Sequence, residues 1–255
     1  MNNRCILITG ATGAIGGALA RAYAHKHAGR DTRLLLQGRD QQKLEQIRLE
    51  CTRAGAEVKV FAFDLRDRAS LAEWLTAIIK VETVDLAIVN AGVNTHVHAD
   101  GTAENWAEVE SLIETNVRAA FAIVNAILPA MRQRRSGQIA LISSLAAYHG
   151  LPMTPSYCAS KAAMLAYFQC IAKAYDSASL SVLSFAPGTV NTGMMQSVLN
   201  ADPAEFPAVE KFKKLQAAGE LVHPERVGKQ ISDILLAGNS GYQPLHGRFF
   251  DLRNG

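Results

Sequence analysis

Short apolar runs alternate with helical patterns along the whole chain, and this alternation restricts the fold more than any other feature. The first run, residues 5–9 (CILIT), predicts a buried strand that ends at a cluster of glycines. Further strands are predicted at residues 33–37, 58–63, 85–90, 138–143, 181–186 and 246–252. Strands that alternate with helices in this way favour βαβ units and a parallel sheet with helices on both faces.

The predicted helices lie between these strands, at residues 14–27, 41–54, 104–134, 157–175 and 224–236. One more helix has an apolar stripe formed by Leu71, Trp74, Leu75 and Ile78. The chain shows no linker, repeat or low-complexity segment. We therefore expect one doubly wound, Rossmann-type α/β domain over residues 1–255, with a mostly parallel sheet.

Composition excludes several functional classes. Of the 255 residues 49% are hydrophobic and 19% charged, which allows a large core. The net charge of +3 is small and no basic stripe is present, so we expect no nucleic-acid partner. Four cysteines without C-x-x-C spacing predict a reducing, cytoplasmic location. Arg118, Asn125 and Pro129 interrupt the most apolar segment, so we expect no membrane span.

Three glycines follow the first strand as G-x-x-G-x-x-G, at Gly10, Gly13 and Gly16. Glycine allows a tight turn and a close approach of the backbone to a pyrophosphate, which then faces a helix N-terminus. Any tight strand-to-helix turn also favours glycine. The position directly after the first buried strand favours the phosphate-binding interpretation.

Further motifs occur in a specific order and at specific spacings. They are Asn90-Ala91-Gly92, Asn116, Ser144, Tyr157, Lys161, Pro187-Gly188 and Thr192. With this ordered set the chain resembles a classical short-chain dehydrogenase/reductase over essentially its whole length.

The resemblance implies a role for each of four residues. Tyr157 would be the general acid in carbonyl reduction and the base in alcohol oxidation. Lys161 would hold the nicotinamide ribose and lower the pKa of Tyr157, because a cation four residues along a helix lies on the same face. Ser144 would donate to the substrate oxygen. Asn116 would hold a water that links Lys161 to bulk solvent.

The resemblance also implies which residues contact the dinucleotide. Asp64 and Leu65 would lie at the adenine, and Thr192 near the carboxamide. The full predicted set is Gly10, Thr12, Gly13, Ile15, Gly16, Arg39, Asp64, Leu65, Asn90, Ala91, Gly92, Tyr157, Lys161, Pro187, Gly188, Val190 and Thr192.

The sequence departs from the family pattern in the glycine loop. Ala14 stands where the middle glycine is usual, and Gly13 supplies a glycine one place earlier. Extended family members, often epimerases or dehydratases, have a similar loop. They also carry a much longer C-terminal substrate region, which favours the classical assignment here.

The end of the second strand predicts the cofactor. Gly38 occupies the position of the acid that holds the ribose 2′-hydroxyl of NAD, and Arg39 follows it. A guanidinium matches a phosphate in charge and geometry, so we expect NADP(H) rather than NAD(H), with Thr12 as a second contact. The alternative is that Arg39 is a solvated loop residue.

The predicted function is an NADP(H)-dependent oxidoreductase that interconverts a small carbonyl compound and a secondary alcohol. Residues at about 193–219 would form a substrate lid, and the resemblance implies a homodimer or homotetramer. Two alternatives remain: a dinucleotide-sensing protein without catalysis, and an epimerase or dehydratase. We expect no metal, because His96 and His98 lack a cysteine or carboxylate pattern beside them.

Overall fold

A computed structural model describes residues 4–26, 32–95, 104–151, 154–175, 180–203, 206, 208–237 and 245–254. Its seven-stranded sheet has the order β3-β2-β1-β4-β5-β6-β7. Every pair of neighbouring strands is parallel, which confirms the predicted fold class. The strands are β1 (Arg4–Ile8), β2 (Thr32–Gly38), β3 (Glu57–Ala62), β4 (Leu86–Val89), β5 (Gln138–Ile142), β6 (Ser181–Ala186) and β7 (Phe249–Asp251).

Helices cover both faces of the sheet. They are α1 (Ala14–Lys26), α2 (Gln41–Arg53), α3 (Arg68–Val81), α4 (Trp106–Ile113), α5 (Ala120–Gln133), α6 (Pro155–Ala174), α7 (Gly193–Leu199), α8 (Val209–Ala217) and α9 (Pro224–Ala237). One apolar cluster joins the sheet to α3, α5 and α6, and another joins it to α1, α2 and α9. Leu7 belongs to the first cluster, whereas Ile6 and Ile8 belong to the second. Alternate side chains therefore enter opposite layers, which explains the continuous apolar strands.

The predicted helix 104–134 is not one regular helix. A π-helical turn, Glu114–Ala119, separates α4 from α5 and contains Asn116. Among the described helices, the combined stretch Trp106–Gln133 alone has the length and hydropathy of a membrane span. Its side chains Ile123, Val124 and Ile127 are buried in the cluster that covers the sheet.

The predicted strand 246–252 is shorter than expected and begins at Phe249. Gly247 has φ +73°, which lies outside the strand region, and it ends a turn at residues 245–247. His246 Nε2 lies 2.8 Å from the carbonyl of Ala172 and fixes this segment to α6.

The sheet order creates a crevice at its carboxyl edge. The chain moves outward from β1 to β2 on one side and from β4 to β5 on the other, so β1 and β4 flank a topological switch point. In open α/β sheets, ligands bind in the crevice at such a point. The glycine loop follows β1 and Asn90 follows β4, so both lie at this edge.

Helices α7 and α8 form an excursion between β6 and α9. Val190 pairs with Val222 in a parallel bridge, so the two ends of the excursion meet. Val198, Phe206 and Val209 form a small apolar cluster of their own within it. Residues 204, 205 and 207 of the predicted lid lie outside the described residues.

Candidate active site

A cavity of about 1200 Å³ occupies the crevice at the carboxyl edge of the sheet. All but two of the residues predicted from the sequence line it. The exceptions, Gly16 and Asn116, are buried behind its wall. The structure therefore brings the predicted cofactor residues and the predicted catalytic residues together at one cavity.

The glycine loop is too tightly packed for side chains at two positions. Gly10 has φ +63°, and a Cβ atom there would lie 2.8 Å from the Cα of Ala91. A Cβ atom on Gly16 would lie 2.3 Å from the carbonyl oxygen of Gly10 and 2.8 Å from Asn90 Nδ2. Helix α1 begins at Ala14, directly after this turn. The loop thus presents bare backbone and a helix N-terminus to the cavity, which suits a phosphate group.

Two polar residues that the sequence analysis missed hold this loop in place. Gln37 Oε1 accepts from the backbone N–H of Gly10 at 3.3 Å, and Gln37 Nε2 donates to the carbonyl of Phe63 at 2.9 Å. Thr9 Oγ1 accepts from the backbone N–H groups of Asn90 and Ala91, both at 3.1 Å. A buried glutamine at the end of an apolar strand is the signal that could have identified Gln37, because a buried amide needs partners.

At the end of β2 a glycine, which has no side chain, is followed by positively charged residues. A Cβ atom on Gly38 would lie 2.6 Å from Thr12 Cγ2, so an acid could enter there only if Thr12 moved. Arg39 is exposed and lines the cavity, and Lys43 joins it in the same wall. Asp40 caps α2 by accepting from the Lys43 N–H at 3.0 Å. Sequence analysis did not identify Lys43 as a cavity residue.

Asp64 lines the same end of the cavity, at the end of β3. Arg66 donates to both of its carboxylate oxygens, and these hydrogen bonds hold the pKa of Asp64 below its usual value. The positive charge of Arg39 acts in the same direction. The carboxylate therefore remains ionised beside two arginines.

Tyr157 and Ser144 line the same cavity. Burial raises the pKa of Tyr157, and the nearby Ser144 side chain opposes the rise. Ser144 is also fixed locally, because its Oγ accepts from the backbone N–H of Ala146 at 3.1 Å. A phenol that keeps its proton at neutral pH can serve as an acid.

Lys161 lies one turn after Tyr157 on α6, as predicted. It is only 7% exposed, and its ammonium donates to the carbonyl of Ile142 at 3.2 Å. Burial lowers the pKa of Lys161 to about 8. The expected lowering of the Tyr157 pKa is not found in the protein without cofactor. Burial is the largest cause of the pKa shift of each residue, and it raises the pKa of the phenol.

Asn116 connects the π-helical turn to both sides of the site. Its Oδ1 accepts from the Val93 N–H at 2.8 Å, and its Nδ2 donates to the Val93 carbonyl at 2.9 Å and to Ser160 Oγ at 3.1 Å. Ser160 directly precedes Lys161. A side chain on Gly92 would lie 3.4 Å from both Asn116 Oδ1 and Lys161 Nζ. Gly92, Asn116 and Lys161 are thus packed closely together.

Glu104 forms a second connection, which the sequence analysis missed. Its carboxylate accepts from Thr95 Oγ1 at 2.8 Å and from the hydroxyl of Ser156. Ser156 directly precedes Tyr157. The loop after β4 is therefore fixed to the first turn of α6 by Glu104 and to the next turn by Asn116. No local sequence pattern marks Glu104, because its partners are far apart in the chain.

The end of β6 closes the other side of the cavity. Gly188 has φ +80°, and a Cβ atom there would lie 2.9 Å from Arg253 Cγ. Thr192 caps α7 by accepting from the Met195 N–H at 3.2 Å. Pro187 and Val190 complete this wall.

Within the described residues, no group of three or more His, Cys, Asp or Glu side chains could hold a metal ion. His96 and His98, which the sequence analysis did not expect to bind a metal, lie outside those residues.

The chain is similar in sequence to known proteins. The sequence model of the family described as short chain dehydrogenase matches residues 4–203. Dehydrogenase/reductase SDR family member 7B from Danio rerio is 31% identical over 254 residues, which cover 93% of this chain and 78% of that protein. Nodulation protein G from Rhizobium meliloti strain 1021 is 33% identical over 197 residues, 76% of each protein.

Solved structures share the fold. Levodione reductase matches with a TM-score of 0.81 and 22% identity, covering 97% of this chain and 95% of that one. A variant of actinorhodin polyketide ketoreductase, solved with NADPH, matches with a TM-score of 0.83 and 23% identity, covering 98% and 95%.

Proposed function

The chain belongs to the short-chain dehydrogenase/reductase family, and from this premise we propose that it is an NADP(H)-dependent reductase of small carbonyl compounds. The reverse reaction would oxidise a secondary alcohol. One observation carries the proposal: Ser144, Tyr157 and Lys161 share a single cavity with a glycine loop that has no room for a side chain at Gly10 or Gly16.

The residues of the cavity fit a phosphorylated dinucleotide. The backbone around Gly10 and Gly16 and the N-terminus of α1 would hold the pyrophosphate. Arg39 would bind the 2′-phosphate, with Thr12 and Lys43 as further contacts. Gly38 also favours NADP(H), because the acid that selects NAD is absent there and could enter only if Thr12 moved.

The nicotinamide, when bound, supplies the hydride in reduction or accepts it in oxidation. Tyr157 donates a proton to the carbonyl oxygen in reduction, and its raised pKa keeps that proton available. Ser144 donates a hydrogen bond to the same oxygen as negative charge develops on it. Lys161 holds the ribose hydroxyls, and its ammonium stabilises the phenolate that remains.

Tyr157 must regain its proton after each reduction. We propose that Lys161, with its pKa lowered to about 8, passes a proton at neutral pH. Both amide hydrogens of Asn116 are used by Val93 and Ser160. A water that links Lys161 to solvent would therefore bind a carbonyl oxygen of Asn116, on the side chain or on the main chain.

Residues 193–219 are proposed to cover the substrate. Helices α7 and α8 supply Met194, Met195 and Phe212 to the cavity wall, beside the catalytic residues. The paired ends at Val190 and Val222 would let the excursion move as one piece.

Deuterium transfer tests the function. NADPH that carries deuterium at both C4 positions would be incubated with the protein and a panel of ketones and aldehydes, and the products analysed by mass spectrometry. We expect one deuterium on the former carbonyl carbon for each NADPH consumed. Tight NADPH binding without any labelled product would favour a sensor. Substrate conversion without net NADPH consumption would favour an epimerase or dehydratase.

Two further proposals concern assembly and location. We propose a homodimer or homotetramer, which light scattering coupled to gel filtration would measure. A cytoplasmic location, with no membrane and no nucleic acid as partner, stays a prediction, and fractionation of the native cells would test it.

A further inference from the structure

The two halves of the cavity differ in charge. The half beside β2 and β3 is lined by two acids, Asp40 and Asp64, and by two exposed cations, Arg39 and Lys43. The other half lies beside β5 and β6 and faces α7 and α8. Among the described residues that line this second half, no side chain is acidic.

The second half has apolar walls. Its apolar side chains are Leu151, Met194, Met195, Val198, Phe206 and Phe212. Phe206 and Val198 are buried, whereas Leu151 is 44% and Met194 38% exposed. Exposed apolar side chains at the wall of a cavity favour a ligand that covers them.

One cation interrupts these apolar walls. Lys211, on the first turn of α8, lines the cavity and is exposed. Its neighbour Lys213 pairs with Glu210 at 3.5 Å, but no ion pair is found for Lys211 within the described part of the chain. Apart from the buried Lys161, it is the cation of this half of the cavity in the residues described.

We propose that the carbonyl substrate has an apolar body and a carboxylate remote from its carbonyl group, and that Lys211 binds this carboxylate. This inference rests on the proposed function, since it places the carbonyl at Tyr157. The apolar side chains would cover the body of the substrate, and Lys211 would select the charged end. Lys211 is then a specificity-determining residue that takes no part in proton transfer.

Matched pairs of substrates test the inference. The probes are oxo-acids with increasing separation between ketone and carboxylate, each compared with its methyl ester at saturating NADPH. We expect a lower KM for at least one acid than for its ester, by about fivefold, as for an exposed ion pair. The preference should shrink at high salt, because salt screens exposed charges.

Three variants at two positions of the same helix separate specificity from structure. Lys211→Ala should raise the KM of the acid to that of the ester, with kcat and the ester KM unchanged. Lys211→Glu should reverse the preference. Lys214→Ala is the control, since Lys214 is also exposed on α8 and does not line the cavity. It should leave both substrates unaffected.

The outcomes distinguish failure of the Lys211 inference from failure of the proposed function. Equal KM values for acids and esters, or equal effects of Lys211→Ala and Lys214→Ala, would overturn the inference and leave the reductase intact. Failure of every acid, ester and neutral ketone to consume NADPH would overturn the proposed function and the inference with it.

Discussion

The ammonium of Lys161 lies over the ring of Tyr157, 5.7 Å from its centre, and donates to the carbonyl of Ile142 at 3.2 Å. Burial disfavours the charged form of each, so it raises the pKa of the phenol and lowers the pKa of the lysine. The two pKa values, which are close to each other in water, therefore move apart, and the lysine becomes the stronger acid of the two. The phenol keeps its proton until the reaction takes it, and Lys161 can then pass a proton to the phenolate near neutral pH.

The buried ammonium predicts an unusual dependence of stability on pH. Lys161 has a pKa of about 8 in the folded chain against an ordinary value of 10.5, and this difference corresponds to a cost of about 3 kcal/mol when the side chain is charged. Below pH 8 the folded and unfolded states both bind the proton, so the full cost is present. Between pH 8 and 10.5 the folded state loses the proton first, and the cost disappears.

Replacement of Lys161 by Met should remove this dependence. The free energy of unfolding of the native protein, measured in urea, should rise relative to that of Lys161→Met by about 2–3 kcal/mol between pH 7 and pH 10. A constant difference across this range would contradict the assigned pKa.

Arg39 should control the choice of cofactor. Arg39→Gln should weaken NADPH binding by about tenfold to a hundredfold, the value of a hydrogen bond to a charged group, and leave NADH binding almost unchanged. Fluorescence titration with both cofactors measures this. Arg48→Gln is the control, because Arg48 lies on α2 and pairs with Glu45 away from the cavity. Equal losses for both cofactors would show that Arg39 does not bind the phosphate.

Gly16 should be intolerant of any side chain. In Gly16→Ala the methyl group would lie 2.3 Å from the carbonyl oxygen of Gly10, so the loop would have to shift. We expect at least a tenfold loss of NADPH affinity and a destabilisation of about 1–3 kcal/mol from overpacking. Gly150→Ala, with nothing within 4 Å of the new atom, is the control. Unchanged cofactor binding in Gly16→Ala would contradict the described loop.

The cysteines should differ sharply in reactivity. All four are free, and burial raises the pKa of Cys5 to about 12 and that of Cys51 to about 11. Cys170 is exposed and Cys158 half-buried. At pH 8 a disulfide reagent should modify Cys170 first and at most two thiols in the folded protein, and all four in urea. Fast reaction of Cys5 or Cys51 in the folded protein would contradict their burial.

The sequence predicted the sheet and most of the site because both depend on local patterns. The apolar run before the glycines defines β1, and the spacing from Ser144 to Tyr157 and Lys161 is fixed by one strand end and one helix. The structure starts α6 at Pro155 rather than Tyr157, because proline suits the first helical turn. The exact first residue of a helix can be recognised in the sequence only after the helix itself is known.

What the sequence missed depends on contacts between distant segments. Gln37, Glu104 and Lys43 join or line the site through partners that the fold supplies, and their neighbours in sequence show no motif. The π-helical turn at Asn116 was missed for a similar reason. Its amide is bound to Val93 and Ser160, and a regular helical pattern continues through it in the sequence.

The central claim is that Tyr157 transfers the proton during NADPH-dependent carbonyl reduction. Tyr157→Phe removes only the hydroxyl, and Tyr167→Phe is its control because Tyr167 donates to Asn125 outside the cavity. We would measure NADPH oxidation with the best carbonyl substrate, and NADPH affinity by fluorescence, for both variants. We expect at least a hundredfold loss of turnover in Tyr157→Phe alone, with NADPH affinity within about twofold of the native value. Retention of turnover in Tyr157→Phe would contradict the assignment of Tyr157 as the proton donor.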